Sequence, residues 1–354
     1  MKPLFPLSVV LVALLSFAQD SEKGLKDYAQ FPVGAAIDVN LLKTDSLYRR
    51  ILEVECSSIT AENALKWHRT HPEKDEFTFA DGDYIVDWAI SKGKRAHGHV
   101  LLWHQYPPAW LRSFEGSSAD FEALMKTHIT TVVQHYKGRI ASWDVVNEAY
   151  NERGLLRENE NNPAESWQTG SVWRKKLGND YIARAFEYAH AADPKALLFY
   201  NDYQQEAQAE KNDGIIKMAL ELKKRNIPIH GIGLQMHISL NTPNRGIEKA
   251  LRDAAATGLL VHISELDVVA NTSKSNPFDY SAEIQAKQRE KVRFVVNAYN
   301  RFVPKQQQHG ITTWNVTDKD SWLLKFNKVP DYPLLFDANY GRKAAWDGFR
   351  EGLR

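Results

Sequence analysis

SWDVVNE (residues 142–148) is a short apolar run that ends on an amide and a carboxylate, Asn147 and Glu148. A carboxylate buried at the end of a strand is costly unless its charge is paired or used. A second run of the same kind, LVHISELD (residues 260–267), contains Glu265. We therefore predict that Glu148 and Glu265 act together as the acid and base of an enzyme.

Short apolar runs of this kind alternate along the chain with longer segments of helical periodicity, such as 121–136 and 181–192. The runs are FPVGAAID (31–38), SSITAEN (57–63), RAHGHVLLW (95–103), SWDVVNE (142–148), ALLFYNDY (196–203), GIGLQMH (231–237), LVHISELD (260–267) and GITTWNV (310–316). Eight strands, each followed by a helix, predict an α/β protein with a (β/α)8 TIM barrel as its single catalytic domain, over residues 19–354. A doubly wound open sheet is the alternative, but no glycine-rich phosphate loop follows the first run.

Polar residues gather at the carboxyl ends of the runs, where a barrel of this type assembles its site. Because strand side chains alternate, Gln235 and His237 should share one face, as should Glu265 and Asp267. Any one of these residues could simply be a hydrogen-bonding group that closes the rim. Their recurrence at nearly every strand end predicts one functional mouth.

The chain has ten tryptophans, and several of them follow predicted strand ends. These are Trp67, Trp103, Trp110, Trp314 and Trp322. Aromatic faces bind the apolar faces of sugar rings, while amides, carboxylates and lysines bind the hydroxyls. The sequence therefore predicts a carbohydrate cleft. The tryptophans in helical segments are expected in the core: Trp88, Trp173 and Trp346.

The composition and the histidine pattern argue against two other classes. A net charge of +1 without a basic face excludes nucleic acid as the main partner. A metal hydrolase is an alternative, because His97 and His99 form an HxH pair and His237 and His262 could add imidazoles. The pair falls on the third strand rather than the first, and His262 has the opposite strand parity from Glu265. We predict neither a metal nor another cofactor.

The first residues predict export. Lys2 precedes an apolar stretch from about Leu4 to Phe17, and small residues precede a cleavage point after Ala18. We expect a signal peptide over residues 1–18 and a secreted or periplasmic monomer without membrane attachment; an uncleaved anchor is the alternative. The only cysteine, Cys56, is predicted to be a buried small residue, so the fold needs no disulfide.

Seven motifs, in order along the chain, resemble the strand-end motifs of glycoside hydrolase family 10, the endo-β-1,4-xylanases. They are TAENALKW (60–67), GHVLLWH (98–104), WDVVNEA (143–149), FYNDY (199–203), GLQMH (233–237), HISELDV (262–268) and TWNVTDKDSW (313–322). The resemblance runs from about Phe31 to the final helix. It implies a retaining endo-1,4-β-xylanase that acts on xylan and xylo-oligosaccharides.

The resemblance also implies residue roles. Glu148 would be the acid/base, protonated in the free enzyme, and Glu265 the ionised nucleophile. The supporting residues would be Asn147 at the sugar 2-hydroxyl, Gln235 beside the acid/base, His237 against the nucleophile, and Asp267 orienting it. The substrate-binding residues would be Glu62, Asn63 and Lys66 away from the leaving group, His99 and Trp103 beside the cleaved sugar, and Trp314 and Trp322 above it.

Two departures from the family pattern stand near the predicted cleft. Asn315 replaces the glycine expected after Trp314, and Gln105–Pro107 differs from the usual stretch after the Trp-His pair. Two alternative functions remain within this fold, a β-1,4-glucanase or mixed-specificity hydrolase, and a catalytically silent carbohydrate-binding barrel. The presence of both glutamates disfavours the silent barrel.

Overall fold

The protein is described by a computed structural model over residues 23–158 and 171–354. The predicted signal peptide, residues 1–18, lies outside the described residues. Each of the predicted runs forms a strand. The strands are β1 Val33–Ile37, β2 Ser58–Ala61, β3 Arg95–Gly98 with the short extension β4 Leu102–Trp103, β5 Ser142–Asn147, β6 Leu197–Asp202, β7 Gly231–Leu234 with the short extension β8 His237–Ser239, β9 Leu260–Val269 and β10 Gln308–Trp314.

The strands close into a parallel barrel. Neighbouring strands pair in the order β1, β2, β3, β5, β6, β7, β9 and β10, and β10 pairs with both β9 and β1. This closure confirms the predicted (β/α)8 TIM barrel and shows that the open-sheet alternative is wrong. The carboxyl ends of all barrel strands therefore meet at one mouth.

Helices surround the barrel and pack their apolar faces against it. They are α1 Val39–Thr44, α2 Ser46–Glu55, α3 Trp67–Thr70, α4 Ala80–Ser91, α5 Ala109–Arg112, α6 Ser118–His135, α7 Val172–Leu177, α8 Tyr181–Ala192, α9 Ala209–Lys224, α10 Asn244–Ala256, α11 Ala282–Phe302, α12 Trp322–Asn327 and α13 Ala344–Gly352. The predicted helix over 181–192 is confirmed, and the one over 121–136 begins three residues earlier, where Ser117 and Asp120 form a capping box. Within the described part of the chain, no helix combines the length and apolar character that crossing a membrane requires.

Residues predicted for the core lie there. Cys56 is a free, buried thiol, and Trp173 and Trp346 are buried in the hydrophobic core. Trp88 is partly buried and packs against the same core. Trp67, a candidate for the cleft, is also buried, with its ring stacked on that of His128 at 3.4 Å. It follows a strand end but begins the short helix α3, which turns the indole inward.

Each of the two glutamate-bearing strands carries a register shift. Between β5 and β6 it falls after Asp144. Between β9 and β10, Ile311 pairs with Ile263 and Thr313 pairs with Leu266, so β9 has one extra residue. Such a bulge re-aims the side chains that follow it. Strict alternation therefore fails in β9.

The bulge corrects the parity prediction for His262. His262 faces the barrel interior, with its ring 5.1 Å from that of His97, and Glu265 also turns inward to contact Asn201. The two side chains are three residues apart on one strand, roughly 10 Å at the usual rise per residue. Both side chains face the barrel interior, and they are separated by their positions along the barrel axis rather than by the face of the strand.

Candidate active site

Glu148 and Glu265 both lie at the mouth of the barrel, on its fourth and seventh strands. Glu148 directly follows β5, and its backbone φ is 56°. A left-handed φ is uncommon outside glycine and clusters at functional sites. Both side chains are buried, with Glu148 7% and Glu265 4% exposed. Each carboxylate must therefore be satisfied by neighbouring groups.

A chain of amide side chains connects the two carboxylates. Nδ2 of Asn147 donates to Oε1 of Glu148 over 3.1 Å, and Oδ1 of Asn147 accepts from Nδ2 of Asn201 over 2.9 Å. The same Nδ2 of Asn201 donates to Oε1 of Glu265 over 2.6 Å. Gly233 leaves the space that Asn201 needs, because a Cβ there would lie 2.2 Å from its Oδ1. One hydrogen-bonded unit thus fixes the two carboxylates relative to each other.

Glu148 is surrounded by N–H donors. The indole Nε1 of Trp103 donates to Oε2 over 2.8 Å, and Nε2 of Gln235 donates to Oε1 over 3.0 Å. Nδ1 of His104 lies 4.0 Å from Oε2. Burial raises the pKa of Glu148, but His104 and these donors oppose it, and the net effect is a pKa below the ordinary value. The structure thus favours an ionised Glu148 in the free protein, contrary to the sequence expectation of a protonated acid.

Glu265 faces a histidine that is supported by another carboxylate. Nε2 of His237 lies 3.2 Å from Oε2 of Glu265, and Nδ1 of His237 lies 2.8 Å from Oδ2 of Asp267. Burial acts to lower the pKa of His237, but Asp267 and Glu265 outweigh it and raise the pKa to about 10. His237 is therefore an imidazolium at neutral pH. It forms a charged bridge between the two carboxylates.

Gln235 and His237 reach the mouth by a different route from the predicted shared strand face. β7 ends at Leu234, Met236 has a φ of 60°, and His237 begins β8. The turn at Met236 interrupts the alternation. Gln235 consequently points to Glu148 and His237 points to Glu265.

Glu62, Asn63 and Lys66 line the mouth after β2. Nζ of Lys66 donates to Oδ1 of Asn63 over 3.1 Å and lies 4.8 Å from the ring centre of Trp103. Oε2 of Glu62 accepts from Nδ2 of Asn315 over 2.8 Å. Burial raises the pKa of Glu62 despite the opposing charge of Lys66. This part of the mouth offers charged and amide groups beside an aromatic face.

Trp314 and Trp322 cover the mouth from the last barrel strand and the loop that follows it. Trp314 ends β10, and its ring centre lies 5.0 Å from that of His99. Trp322 begins α12, and its ring centre lies 5.0 Å from that of His237. The indole Nε1 of Trp322 also donates to Oδ2 of Asp267 over 2.9 Å. The aromatic cover is therefore tied to the charged bridge beneath it.

Asp144 orients His99, and the sequence interpretation did not identify it. Its Oδ2 lies 2.9 Å from Nδ1 of His99 and 3.1 Å from Nε2 of His97. Burial acts against its ionisation, but the two histidines lower the pKa of Asp144 far below its ordinary value. The sequence does contain a signal for this residue: Asp144 is a carboxylate within the apolar run SWDVVNE, and such a group is rarely buried unless it is paired.

His97, His262 and His309 form a barrel-floor cluster towards the amino ends of the strands. Among the described residues, they are the group whose ligand atoms, all within 4.8 Å of one another, could converge on a metal. Oγ of Ser142 already contacts Nδ1 of His97 at 2.7 Å and Nε2 of His309 at 3.1 Å. Nη1 of Arg95 lies 3.5 Å from Nδ1 of His309. Engaged nitrogens and a neighbouring guanidinium fit a cation poorly.

The predicted site residues are brought together at one mouth. Contacts link them in a continuous set through Glu148, Glu265 and the groups described above. Of the four histidines considered for a metal site, His97 and His262 belong to the barrel-floor cluster, whereas His99 and His237 do not. Asn201 was not predicted as a site residue, yet its Nδ2 donates to Oε1 of Glu265.

The family model for glycosyl hydrolase family 10 matches residues 23–351. The chain is 38% identical to the endo-β-1,4-xylanase Xyn10C of Cellvibrio japonicus, over 93% of this chain and 57% of that protein. It is also 36% identical to an endo-1,4-β-xylanase of Geobacillus stearothermophilus, over 89% of this chain and 94% of that protein. The chain thus spans about half the length of Xyn10C and nearly all of the second relative.

Solved structures of xylanases share the fold. A mutant of Cellvibrio japonicus xylanase 10C in complex with xylopentaose has a TM-score of 0.85 at 35% identity, over 94% of this chain and 69% of that one. Xylanase 10B of Thermotoga petrophila in complex with xylobiose has a TM-score of 0.83 at 33% identity, over 93% of this chain and 97% of that one. With the family match over nearly the whole sequence, these likenesses establish that the chain belongs to glycosyl hydrolase family 10.

Proposed function

We propose that this protein is a retaining endo-1,4-β-xylanase that cleaves internal β-1,4-xylosidic bonds of xylan and xylo-oligosaccharides. One observation carries the proposal. A single hydrogen-bonded unit, Asn147 and Asn201, joins two carboxylates, of which Glu265 contacts the cationic His237 and Glu148 accepts from the neutral N–H groups of Trp103 and Gln235. Double displacement at an anomeric carbon needs such a pair.

In the first step, a carboxylate oxygen of Glu265 attacks the anomeric carbon while the bond to the leaving oxygen breaks. Glu148 gives its proton to that oxygen, and a covalent glycosyl-enzyme forms. Because His104 and the N–H donors outweigh burial and lower the pKa of free Glu148, the proton must be taken up as the sugar binds. A sugar that excludes water, with the anion of Glu265 across the bond, favours the protonated form of Glu148.

In the second step, Glu148 accepts a proton from water, whose oxygen attacks the anomeric carbon and releases Glu265. The negative charge of Glu265 is absent in the glycosyl-enzyme, which favours an ionised Glu148 and suits it to act as the base. Trp103 and Gln235 then stabilise that anion through their N–H groups. The product retains the β configuration because two inversions have occurred.

The cleft supports a xylose polymer as the substrate. Glu62, Asn63 and Lys66 present partners for sugar hydroxyls, and Trp314 and Trp322 present aromatic faces. Crowding beneath these indoles would reject the hydroxymethyl group that glucose has and xylose lacks. The related structures that hold xylopentaose and xylobiose are of xylanases, which agrees with this substrate class.

The test is hydrolysis of xylan against soluble cellulose, with the anomeric configuration of the first product followed by proton NMR. We expect reducing sugar from xylan, little from cellulose, and a β-anomer that appears before mutarotation. Equal rates on both polymers would favour a mixed-specificity hydrolase. An initial α-anomer would contradict double displacement, and activity on neither polymer would favour a silent binding barrel.

We also propose export, on the sequence pattern of residues 1–18, and a monomer in solution. Expression of the full chain in a bacterial host should release a protein whose amino terminus is Gln19. Amino-terminal sequencing of the released protein tests the cleavage point, and light scattering tests the mass in solution.

A further inference from the structure

Asn315 lies directly behind the sugar-binding face, with 1% of its surface exposed. It follows the last barrel strand and has a φ of 80°, in the left-handed region that glycine and asparagine occupy most readily. A buried amide is costly unless both of its ends are satisfied. In Asn315 both ends are satisfied, and the partners belong to different walls of the cleft.

The amide of Asn315 joins those two walls. Its Nδ2 donates to Oε2 of Glu62 over 2.8 Å, and its Oδ1 accepts from the backbone N–H of Trp322 over 3.0 Å. The N–H of Trp322 is one of the unpaired donors at the start of α12. The carbonyl oxygen of Asn315 itself accepts from Oγ1 of Thr313 over 3.0 Å, which holds the turn.

We propose that Asn315 is a positioning residue that fixes the Glu62 carboxylate relative to the Trp322 indole, and so sets how tightly the sugar preceding the cleaved residue is held. The inference rests on the proposed function and deepens it. Glu62 would contact hydroxyls of that preceding sugar, whereas Trp322 lies over His237 and Asp267 beside the cleaved one. Asn315 touches neither sugar and acts through the two side chains.

Only an amide meets both requirements at this position. A glycine accepts the backbone conformation but makes neither bond. An aspartate keeps the acceptor for Trp322 but places a second carboxylate against Glu62, where like charges disfavour ionisation. The charged, titratable and polar groups that interact with Glu62 include Lys66, Asp38, Asn63, Asn315 and Tyr48. Among them, Asn315 is the one that also contacts Trp322.

The experiment compares two chromogenic substrates. An aryl β-xyloside fills only the site of the cleaved sugar, whereas an aryl β-xylobioside adds the preceding sugar. For Asn315→Gly we expect kcat/KM on the xylobioside to fall about tenfold, mainly through KM, because a hydrogen bond to a charged group is lost. The value on the xyloside should change by less than about threefold.

Two variants keep the inference falsifiable. Asn226 also has a left-handed φ, of 57°, and lies on an exposed turn after α9. Asn226→Gly makes the same backbone change there and should leave the ratio of the two kcat/KM values unaltered. Asn315→Asp should lower the ratio of kcat/KM on the xylobioside to kcat/KM on the xyloside most at neutral pH. Part of the ratio should return at lower pH, where one proton can bridge the new carboxyl and that of Glu62. Because Glu148 and Glu265 act on both substrates, the effect of their own titration is the same in both kcat/KM values and drops out of the ratio.

The outcomes separate the inference from the proposed function. If the unmodified protein cleaves neither substrate, the proposed function fails and the inference fails with it. If the unmodified protein cleaves both, but Asn315→Gly leaves the ratio unchanged or lowers both values equally, the inference alone is overturned. A selective loss on the xylobioside, with a KM effect and a pH-dependent aspartate variant, would support it.

Discussion

Glu148 and Glu265 are buried at the same mouth, but the groups that hydrogen-bond to them differ in charge. Glu148 accepts hydrogen bonds from the neutral side chains of Trp103 and Gln235. Glu265 is paired with His237, whose pKa is raised to about 10 by the neighbouring carboxylates. Neutral donors can yield to a sugar oxygen as a proton moves, whereas the imidazolium of His237 places a positive charge directly against Glu265. This difference in surroundings agrees with the proposed roles, proton transfer for Glu148 and nucleophilic attack for Glu265.

Removing each carboxylate gives the largest test of this comparison. Glu265→Ala should lose on the order of 10⁵-fold or more in kcat on every substrate, because no covalent intermediate can form. Glu148→Ala should lose only about 10²–10⁴-fold, and less with an aryl leaving group that needs no proton. Stopped assays with dinitrophenyl β-xylobioside and with xylan measure both effects.

Azide separates the roles further, because it can replace either group. With Glu148→Ala, azide should accelerate turnover and give a β-glycosyl azide, since it attacks the glycosyl-enzyme. With Glu265→Ala it should give the α-glycosyl azide by direct displacement. The opposite pairing of variant and anomer would show that the roles are exchanged.

Removing the cation should have the next largest effect. His237→Asn keeps a polar side chain but deletes the charge beside Glu265, and kcat/KM should fall about 10- to 100-fold, the value of a charge-assisted hydrogen bond. Asp267→Asn is the matched variant, because it leaves the imidazole in place while withdrawing a carboxylate that raises its pKa. A normal rate in both variants would mean that the charged bridge is unimportant for Glu265.

Removing one neutral donor should have a smaller effect with a defined sign. Trp103→Phe deletes a hydrogen bond that lowers the pKa of Glu148, so that pKa should rise. The alkaline limb of the kcat/KM profile, which reports the acid, should move to higher pH, and the rate should fall about 3- to 10-fold. Trp88→Phe, in α4, is the control and should leave the limb in place. A shift to lower pH would contradict the assignment of Glu148.

The smallest effect concerns stability at the two ends of the barrel. The native state holds a proton on His237 up to pH about 10, whereas an unfolded histidine loses it near pH 6.5. The free energy of unfolding should therefore fall as pH rises between those values, by up to about 1.4 kcal/mol for each pH unit. Urea unfolding at pH 6, 8 and 9.5 measures the slope, which should be weaker in His237→Asn.

The barrel-floor cluster should show the opposite sign. Burial, with the neighbouring Arg95, lowers the pKa of His262 and His309 well below the ordinary value. Below pH about 6.5 the unfolded chain takes up protons that these native imidazoles do not, so stability should fall as the pH falls. His237→Asn should leave this acid-side decline intact, and its disappearance in that variant would contradict the separation of the two regions.

The eight apolar runs and the helices between them were readable from local sequence because strand and helix periods are short-range properties. The same is true of the position of Glu148, which follows an apolar run directly. The family resemblance supplied the expected roles of the strand-end residues, since such roles depend on chemistry that periodicity does not encode. Trp67 was misread because a tryptophan after a strand end can begin a helix that turns it inward.

What the sequence by itself determined is the barrel and the presence of two carboxylates at one mouth. The tertiary structure alone decided how each carboxylate is held. The inward aim of Glu265 follows from a bulge against β10, and Asn315 meets a carboxylate 253 residues away in the chain. Asn201 and Asp144 gain their roles from neighbouring strands in the same way. Such contacts depend on register and close approach between distant segments, which no local pattern of residues records.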